Sequence, residues 1–80
     1  MPSADEVRTG LASILAEVAD VKPEDVQDHK SFVDDLDVDS LSMVEVAMEA
    51  ETQFGVKIPD DKLSELKTVK DAVDYIVENG

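Results

Sequence analysis

The chain has 80 residues, enough for one small domain with a modest hydrophobic core, and we expect a single domain over residues 1–80. Twenty acidic residues against seven basic ones give a formal net charge of −13, which disfavours nucleic acid and anionic membranes and favours basic protein surfaces. The sequence contains no cysteine, which excludes disulfides and thiolate metal sites.

The first six residues lack the basic and apolar stretches of a secretory signal, and no apolar run reaches membrane-spanning length. We therefore expect a cytoplasmic protein without a membrane span. We also expect it to be a monomer.

The first predicted helix begins at Ser3, which forms a capping box with Glu6. Apolar residues at helical spacing continue to Val18. Residues 20–23 end the helix, since Pro23 disfavours a helical residue before it. A long connection follows, with short helical turns predicted at residues 23–25 and 31–34. Four apolar residues are expected to anchor this connection to the core: Val26, Phe32, Val33 and Leu36.

A second helix is predicted over residues 40–54, with Asp39 as its N-cap and Gly55 as its stop. A short third helix begins at residues 59–61, and a fourth begins after a cap at Thr68. Signals for β-strands are weak. The sequence therefore predicts an all-α fold, a small four-helix bundle with three main helices and a short third helix.

The second helix carries two apolar stripes on nearly opposite sides. One stripe ends in an aromatic residue and is predicted to face the core: Met43, Val46, Ala47, Ala50 and Phe54. The other stripe consists of Leu41, Val44 and Met48, with Glu45 and Glu51 beside it. We interpret this second stripe as a docking surface, the alternative being that the long connection folds over it.

The alternating aspartates at positions 35, 37 and 39 resemble the opening of an EF-hand calcium loop. That loop needs glycine at its sixth position and glutamate at its twelfth, where this chain has Ser40 and Val46. No specific metal site is predicted, although weak binding of divalent cations is expected.

Ser40 follows this acidic run and lies at the predicted start of the second helix. A helix N-terminus favours an anion such as a phosphate ester. A catalytic serine is disfavoured because no Gly-x-Ser-x-Gly motif surrounds it and nearby acids would oppose an oxyanion. The single histidine, His29, lies in a polar loop without partners. These residues favour a serine that carries a group, the alternative being an ordinary helix residue.

The segment from Phe32 to Phe54, centred on Asp39-Ser40-Leu41, resembles the prosthetic-group site of acyl carrier proteins. The likeness continues through residues 56–61 and 68–76, so it covers nearly the whole chain. It is greatest to the stand-alone carriers of bacterial type II fatty-acid synthesis, with an actinobacterial character. The resemblance implies a carrier protein and not an enzyme.

The resemblance further implies that Ser40 receives 4′-phosphopantetheine from coenzyme A through a carrier-protein synthase, with Asp39 assisting that enzyme through its metal ion. The thiol of the arm would hold growing fatty acyl chains as thioesters. Fatty-acid synthesis enzymes with basic patches would dock on six residues: Asp39, Leu41, Val44, Glu45, Met48 and Glu51. The alternatives are a type II polyketide carrier and, from another class, an acidic interaction or divalent-ion-binding domain.

Three positions depart from the family. Asp37 stands where glycine is common, so the turn before Ser40 is expected to differ, and Ala47 and Ala50 stand where bulkier residues are common. We expect the missing volume to admit an acyl chain and Ala50→Leu to stabilise the unloaded protein. The residues predicted to line this acyl pocket are Phe32, Ala47, Ala50, Ile58, Leu63, Leu66, Ala72 and Ile76.

Overall fold

The structure, a computed structural model, describes residues 2–80. Four α-helices and one 3-10 turn follow in chain order: α1 (Ala4–Ala19), the turn (Pro23–Asp25), α2 (Ser40–Phe54), α3 (Asp60–Leu63) and α4 (Val69–Asn79). Over the described residues β-structure is limited to one antiparallel bridge between Ser31 and Thr68. The predicted all-α bundle with a short third helix is therefore confirmed. No helix in this part of the chain combines the length and apolar character that crossing a membrane requires.

Side chains cap the starts of α1 and α4 as the sequence predicts. The Glu6 N–H donates to the Ser3 hydroxyl oxygen over 3.1 Å, and the Asp71 N–H donates to the Thr68 hydroxyl over 3.2 Å. At Thr68 the box is complete, because the Asp71 carboxylate accepts from the Thr68 N–H. At Ser3 the Glu6 carboxylate instead accepts from the serine hydroxyl.

The ends of α1 and α2 both use a left-handed residue. Gly55 has φ 68° after α2, as the predicted stop requires, and Asp20 has φ 57° after α1. The N–H of Asp20 and that of Val21 both donate to the Leu15 carbonyl. The helix therefore ends at the start of the predicted segment 20–23, and Pro23 opens the 3-10 turn predicted at residues 23–25.

The core is formed by apolar side chains from α1, α2 and α4 together with anchors from the connections. Phe32, with 1% of its surface exposed, is the largest fully buried side chain and brings the long connection into the core. The prediction that Val33 is also an anchor is wrong, since 61% of its surface is exposed.

Gly10 in α1 permits a close approach of α2. A Cβ atom at this position would lie 2.4 Å from Cζ of Phe54, closer than carbon atoms can pack. Phe54 is half-buried and covers the glycine backbone. The last turn of α2 therefore rests directly on α1, which fixes one end of the helix pair.

Backbone hydrogen bonds tie the long connection to the start of α4. The Phe32 N–H donates to the Lys67 carbonyl over 3.0 Å, and the Val69 N–H donates to the Lys30 carbonyl over 2.9 Å. On the other side the Arg8 guanidinium donates to both carboxylate oxygens of Asp28, over 2.7 and 3.2 Å. The connection that leads to α2 is thus held between α1 and α4.

Candidate functional site

Ser40 is the first residue of α2, and its side chain is exposed. Among residues 2–80 its hydroxyl makes no side-chain hydrogen bond. Asp39 precedes it as the N-cap: the Ser42 N–H donates to Oδ1 of Asp39 over 2.8 Å, and the Met43 N–H donates to the Asp39 carbonyl over 2.9 Å. The hydrogen bond from Ser42 lowers the pKa of Asp39, so its carboxylate stays ionised at the helix start.

The turn before Asp39 is built on Ser31. The hydroxyl of Ser31 accepts hydrogen bonds from the N–H groups of Asp34 and Asp35, each over 3.1 Å. The Asp35 carboxylate accepts from the Ser31 N–H over 2.8 Å, and the Val38 N–H donates to the Phe32 carbonyl over 2.8 Å. Because Phe32 is buried, these bonds set where the chain enters α2.

Asp37 has φ 57°, in the left-handed region. Glycine adopts this conformation without steric cost, and aspartate tolerates it better than most residues. A glycine at this position would suit the same turn. The left-handed conformation of Asp37 is therefore one that the glycine common in the family could also adopt.

The second apolar stripe of α2 faces solvent. Leu41 is 72% exposed, Val44 42% and Met48 61%, so the alternative that the long connection covers them is wrong. Glu45 is exposed beside them. The opposite stripe lies in the core as predicted, with Phe54 half-buried: Met43, Val46, Ala47, Ala50 and Phe54.

Glu51 differs from the other predicted docking residues because it is half-buried. Its Oε2 accepts a hydrogen bond from the Ile58 N–H over 2.7 Å. One of its carboxylate oxygens is therefore occupied within the protein. The sequence pattern gave no sign of this bond, because it joins a helix to a loop without regular spacing.

The face around Ser40 is uniformly acidic. Between Lys30 and Lys57 the chain has no basic residue, and both ends of this interval flank α2. Within residues 2–80, no three histidine or acidic side chains are arranged to hold a metal ion, and His29 is exposed in its loop. The negative electrostatic potential of this face therefore favours contact with a basic protein surface.

A small cavity of about 20 Å³ lies in the core between α2, α3 and α4. All eight predicted pocket residues line it: Phe32, Ala47, Ala50, Ile58, Leu63, Leu66, Ala72 and Ile76. Leu11, Met43 and Val46 also line it and were missed, although all three lie on predicted core faces. The lining is entirely apolar, and an apolar cavity of this size stays dry.

A surface groove of about 310 Å³ adjoins this cavity. Phe32, Met43, Leu63 and Leu66 line both spaces, so only these side chains separate the groove from the cavity. The groove and the cavity thus share one wall.

The comparisons with known proteins agree with this geometry. A family model described as a phosphopantetheine attachment site matches residues 9–76. The acyl carrier protein of Acidothermus cellulolyticus is 65% identical over 74 residues, which cover 92% of this chain and 88% of that protein. That of Thermobifida fusca is 57% identical, covering 92% and 94%. A meromycolate extension acyl carrier protein of Mycolicibacterium aurum is 55% identical, covering 92% and 76%.

A solved structure of the acyl carrier protein from Enterococcus faecalis superposes with a TM-score of 0.82 at 37% identity, covering 99% of this chain and 100% of that one. The fold and the family resemblance are therefore confirmed together. This chain belongs to the acyl carrier proteins, which carry acyl chains on 4′-phosphopantetheine and are not enzymes.

Proposed function

We propose that Ser40 is the attachment point of 4′-phosphopantetheine and that the protein carries fatty acyl chains in type II fatty-acid synthesis. The observation that carries this proposal is an exposed hydroxyl, without an internal hydrogen bond, at the N-terminus of a 15-residue helix. The positive end of α2 stabilises a phosphodiester there. Esterification of Ser40 breaks no bond that the fold needs, so these residues fit the group.

In the transfer reaction the Ser40 oxygen forms a bond to the phosphorus that bears pantetheine. The bond between the two phosphates of coenzyme A breaks, 3′,5′-ADP leaves, and the serine proton passes to a base on the carrier-protein synthase. Asp39 stays ionised beside Ser40 and assists through the synthase's magnesium ion. Once attached, the arm supplies the thiol that this sequence lacks.

The docking face consists of the exposed stripe and its acids. Leu41, Val44 and Met48 give partner enzymes an apolar contact, and the carboxylates attract their basic patches. Phosphopantetheinyl transferase and fatty-acid synthesis enzymes dock here. The six residues of the face are Asp39, Leu41, Val44, Glu45, Met48 and Glu51.

The apolar cavity receives the acyl chain and shields it from water until docking withdraws it. A space of about 20 Å³ is too small for an acyl chain, so one wall has to move during loading. The wall shared with the groove, which includes Leu63 and Leu66, is the side that yields. Both residues are only half-buried, whereas Phe32 behind them is fixed in the core.

The protein acts as a cytoplasmic monomer, with residues 1–80 forming one carrier domain. A second copy would bring two acidic faces together, and this repulsion opposes pairing through the exposed stripe. Light scattering at low and high salt checks this, and a dimer at low salt would contradict it.

The names of the mycobacterial relatives favour a second candidate, a carrier for the extension of very long acyl chains. Loading with acyl chains of increasing length, followed by thermal unfolding, separates the two candidates. Maximal stabilisation by medium-length chains supports the first candidate, and continued gain with very long chains supports the second.

The attachment site is tested by incubating the apo protein with coenzyme A, magnesium and a carrier-protein synthase. Intact mass spectrometry should show a gain of one phosphopantetheine group. Ser40→Ala should abolish the gain, while Ser42→Ala, a serine in the same turn, should retain it. No gain with the wild type, or a gain that persists in Ser40→Ala, contradicts the proposal.

A further inference from the structure

Glu51 lies in α2 where the docking face borders the core. Glu45, six residues earlier on the same helix, is exposed and makes no side-chain hydrogen bond within residues 2–80. Glu51 is half-buried, and its Oε2 accepts from the Ile58 N–H over 2.7 Å. The two glutamates therefore differ in what their carboxylates contact, although the sequence places both beside the exposed stripe.

The bond from Glu51 holds the loop of residues 55–59, which joins α2 to α3. Ile58 is 7% exposed and forms part of the cavity wall. On the other side of this loop the Tyr75 hydroxyl donates to the Lys57 carbonyl over 2.9 Å. The loop is thus pinned to α2 by Glu51 and to α4 by Tyr75.

The next wall along the chain is held less firmly. α3 has only four residues, and its N-cap Pro59 makes no side-chain capping bond. Leu63 at the end of α3 and Leu66 in the segment that follows it point to the cavity and are only half-buried. An acyl chain that enters the cavity has to displace some wall, because protein interiors contain little free space. Because Ile58 is held in place, α3 is the part of the cavity wall that moves.

We propose that Glu51 is a positioning residue of the acyl cavity. Its carboxylate fixes Ile58, so that the cavity opens towards the groove and not through the loop. This inference rests on the proposed function, since it requires that the cavity holds the acyl chain. It also means that Glu51 contributes less to partner docking than Glu45, because one of its oxygens is already bonded.

The test compares three variants, Glu51→Ala, Glu51→Gln and Glu49→Ala, as apo protein and after loading with acetyl or octanoyl phosphopantetheine. Glu49 is an exposed acid of α2 outside the docking face and serves as the matched control. Two quantities are measured: amide hydrogen exchange at Ile58 by NMR, and the rate of thioester hydrolysis. The acetyl group is too short to reach the cavity and serves as the internal reference for hydrolysis.

Glu51→Ala should raise exchange at Ile58 by at least about tenfold, the loss expected for a hydrogen bond to a charged group. It should also bring octanoyl hydrolysis close to the acetyl rate. Glu51→Gln should restore a large part of both effects, because the amide oxygen can still accept from Ile58, although a neutral acceptor bonds less strongly than a carboxylate. Glu49→Ala should leave both values unchanged.

Unchanged Ile58 exchange in Glu51→Ala would overturn the inference, as would faster exchange with wild-type protection of the octanoyl thioester. Values for Glu51→Gln equal to those of Glu51→Ala would also overturn it, since negative charge would then matter instead of the bond. The proposed function fails separately, through absence of mass gain at Ser40. The exchange comparison in apo protein does not depend on that modification.

Discussion

Replacement of Ala50 by leucine tests whether the core has spare volume for an acyl chain. Ala50 is 1% exposed and lines the cavity beside Ala47. The sequence alone suggests that a larger side chain fills missing volume and stabilises the unloaded protein. The size of the cavity reverses this expectation.

The cavity measures about 20 Å³, and at about 24 cal/mol per Å³ its complete filling would return about 0.5 kcal/mol. The leucine adds three carbon atoms, more than this space holds, and forcing extra methylenes into a packed core costs about 1–3 kcal/mol. We therefore expect Ala50→Leu to lower the free energy of unfolding of the apo protein by about 0.5–2.5 kcal/mol. At about 4–8 °C per kcal/mol for a domain of this size, Tm should fall measurably.

Thermal and urea unfolding of apo and octanoyl-loaded protein provide the measurement. Wild type should gain stability on loading because the chain is buried, and Ala50→Leu should lose most of this gain. Ala4→Leu, at an exposed position of α1, controls for the change of residue type. A rise in the stability of the apo protein with Ala50→Leu would refute the reasoning, because the cavity would then be larger than its walls indicate.

Three further predictions concern the surface. Arg8 lowers the pKa of Asp28 below its ordinary value of 3.8, mainly through its hydrogen bond. The pair therefore stabilises the fold fully above pH 3.8, and this stabilisation is lost as the pH falls through the lowered pKa. Arg8→Met should therefore lower Tm at pH 7, by a margin that shrinks below pH 3.8; a constant margin would contradict this. Asp37→Gly should be more stable than Asp37→Ala by about 1 kcal/mol in urea unfolding, because a Cβ is strained at positive φ; equal stability would argue against the left-handed turn. Tm should rise from low salt to about 0.5 M NaCl as self-repulsion is screened, and a flat response would show that the net charge of −13 is not destabilising.

Local signals explain why so much of this fold can be predicted from the sequence. The caps at Ser3, Asp39 and Thr68 are short side-chain motifs whose geometry depends on adjacent residues only. Gly55 ends α2 for a reason that is equally local, its ease of adopting positive φ. The apolar stripes of α2 follow from helical periodicity, and they correctly divide its residues between core and solvent.

The features that the sequence did not reveal depend on contacts between distant segments. The Glu51 bond to Ile58 crosses from a helix to a loop, and the contact of Gly10 with Phe54 joins two helices far apart in the chain. Asp20 ends α1 in a left-handed conformation for which glycine is the usual signal. Neither periodicity nor capping rules contain information of this kind.

The exposed stripe and the acidic surface depend on each other. Leu41, Val44 and Met48 form an apolar surface that would favour self-association in a neutral protein. Here the surrounding carboxylates oppose contact between two copies and leave the stripe available to a basic partner, which neutralises them on docking. Replacing these acids by their amides should therefore weaken partner binding and at the same time increase self-association. If docking were purely apolar, the same replacement would increase self-association and leave partner binding unchanged.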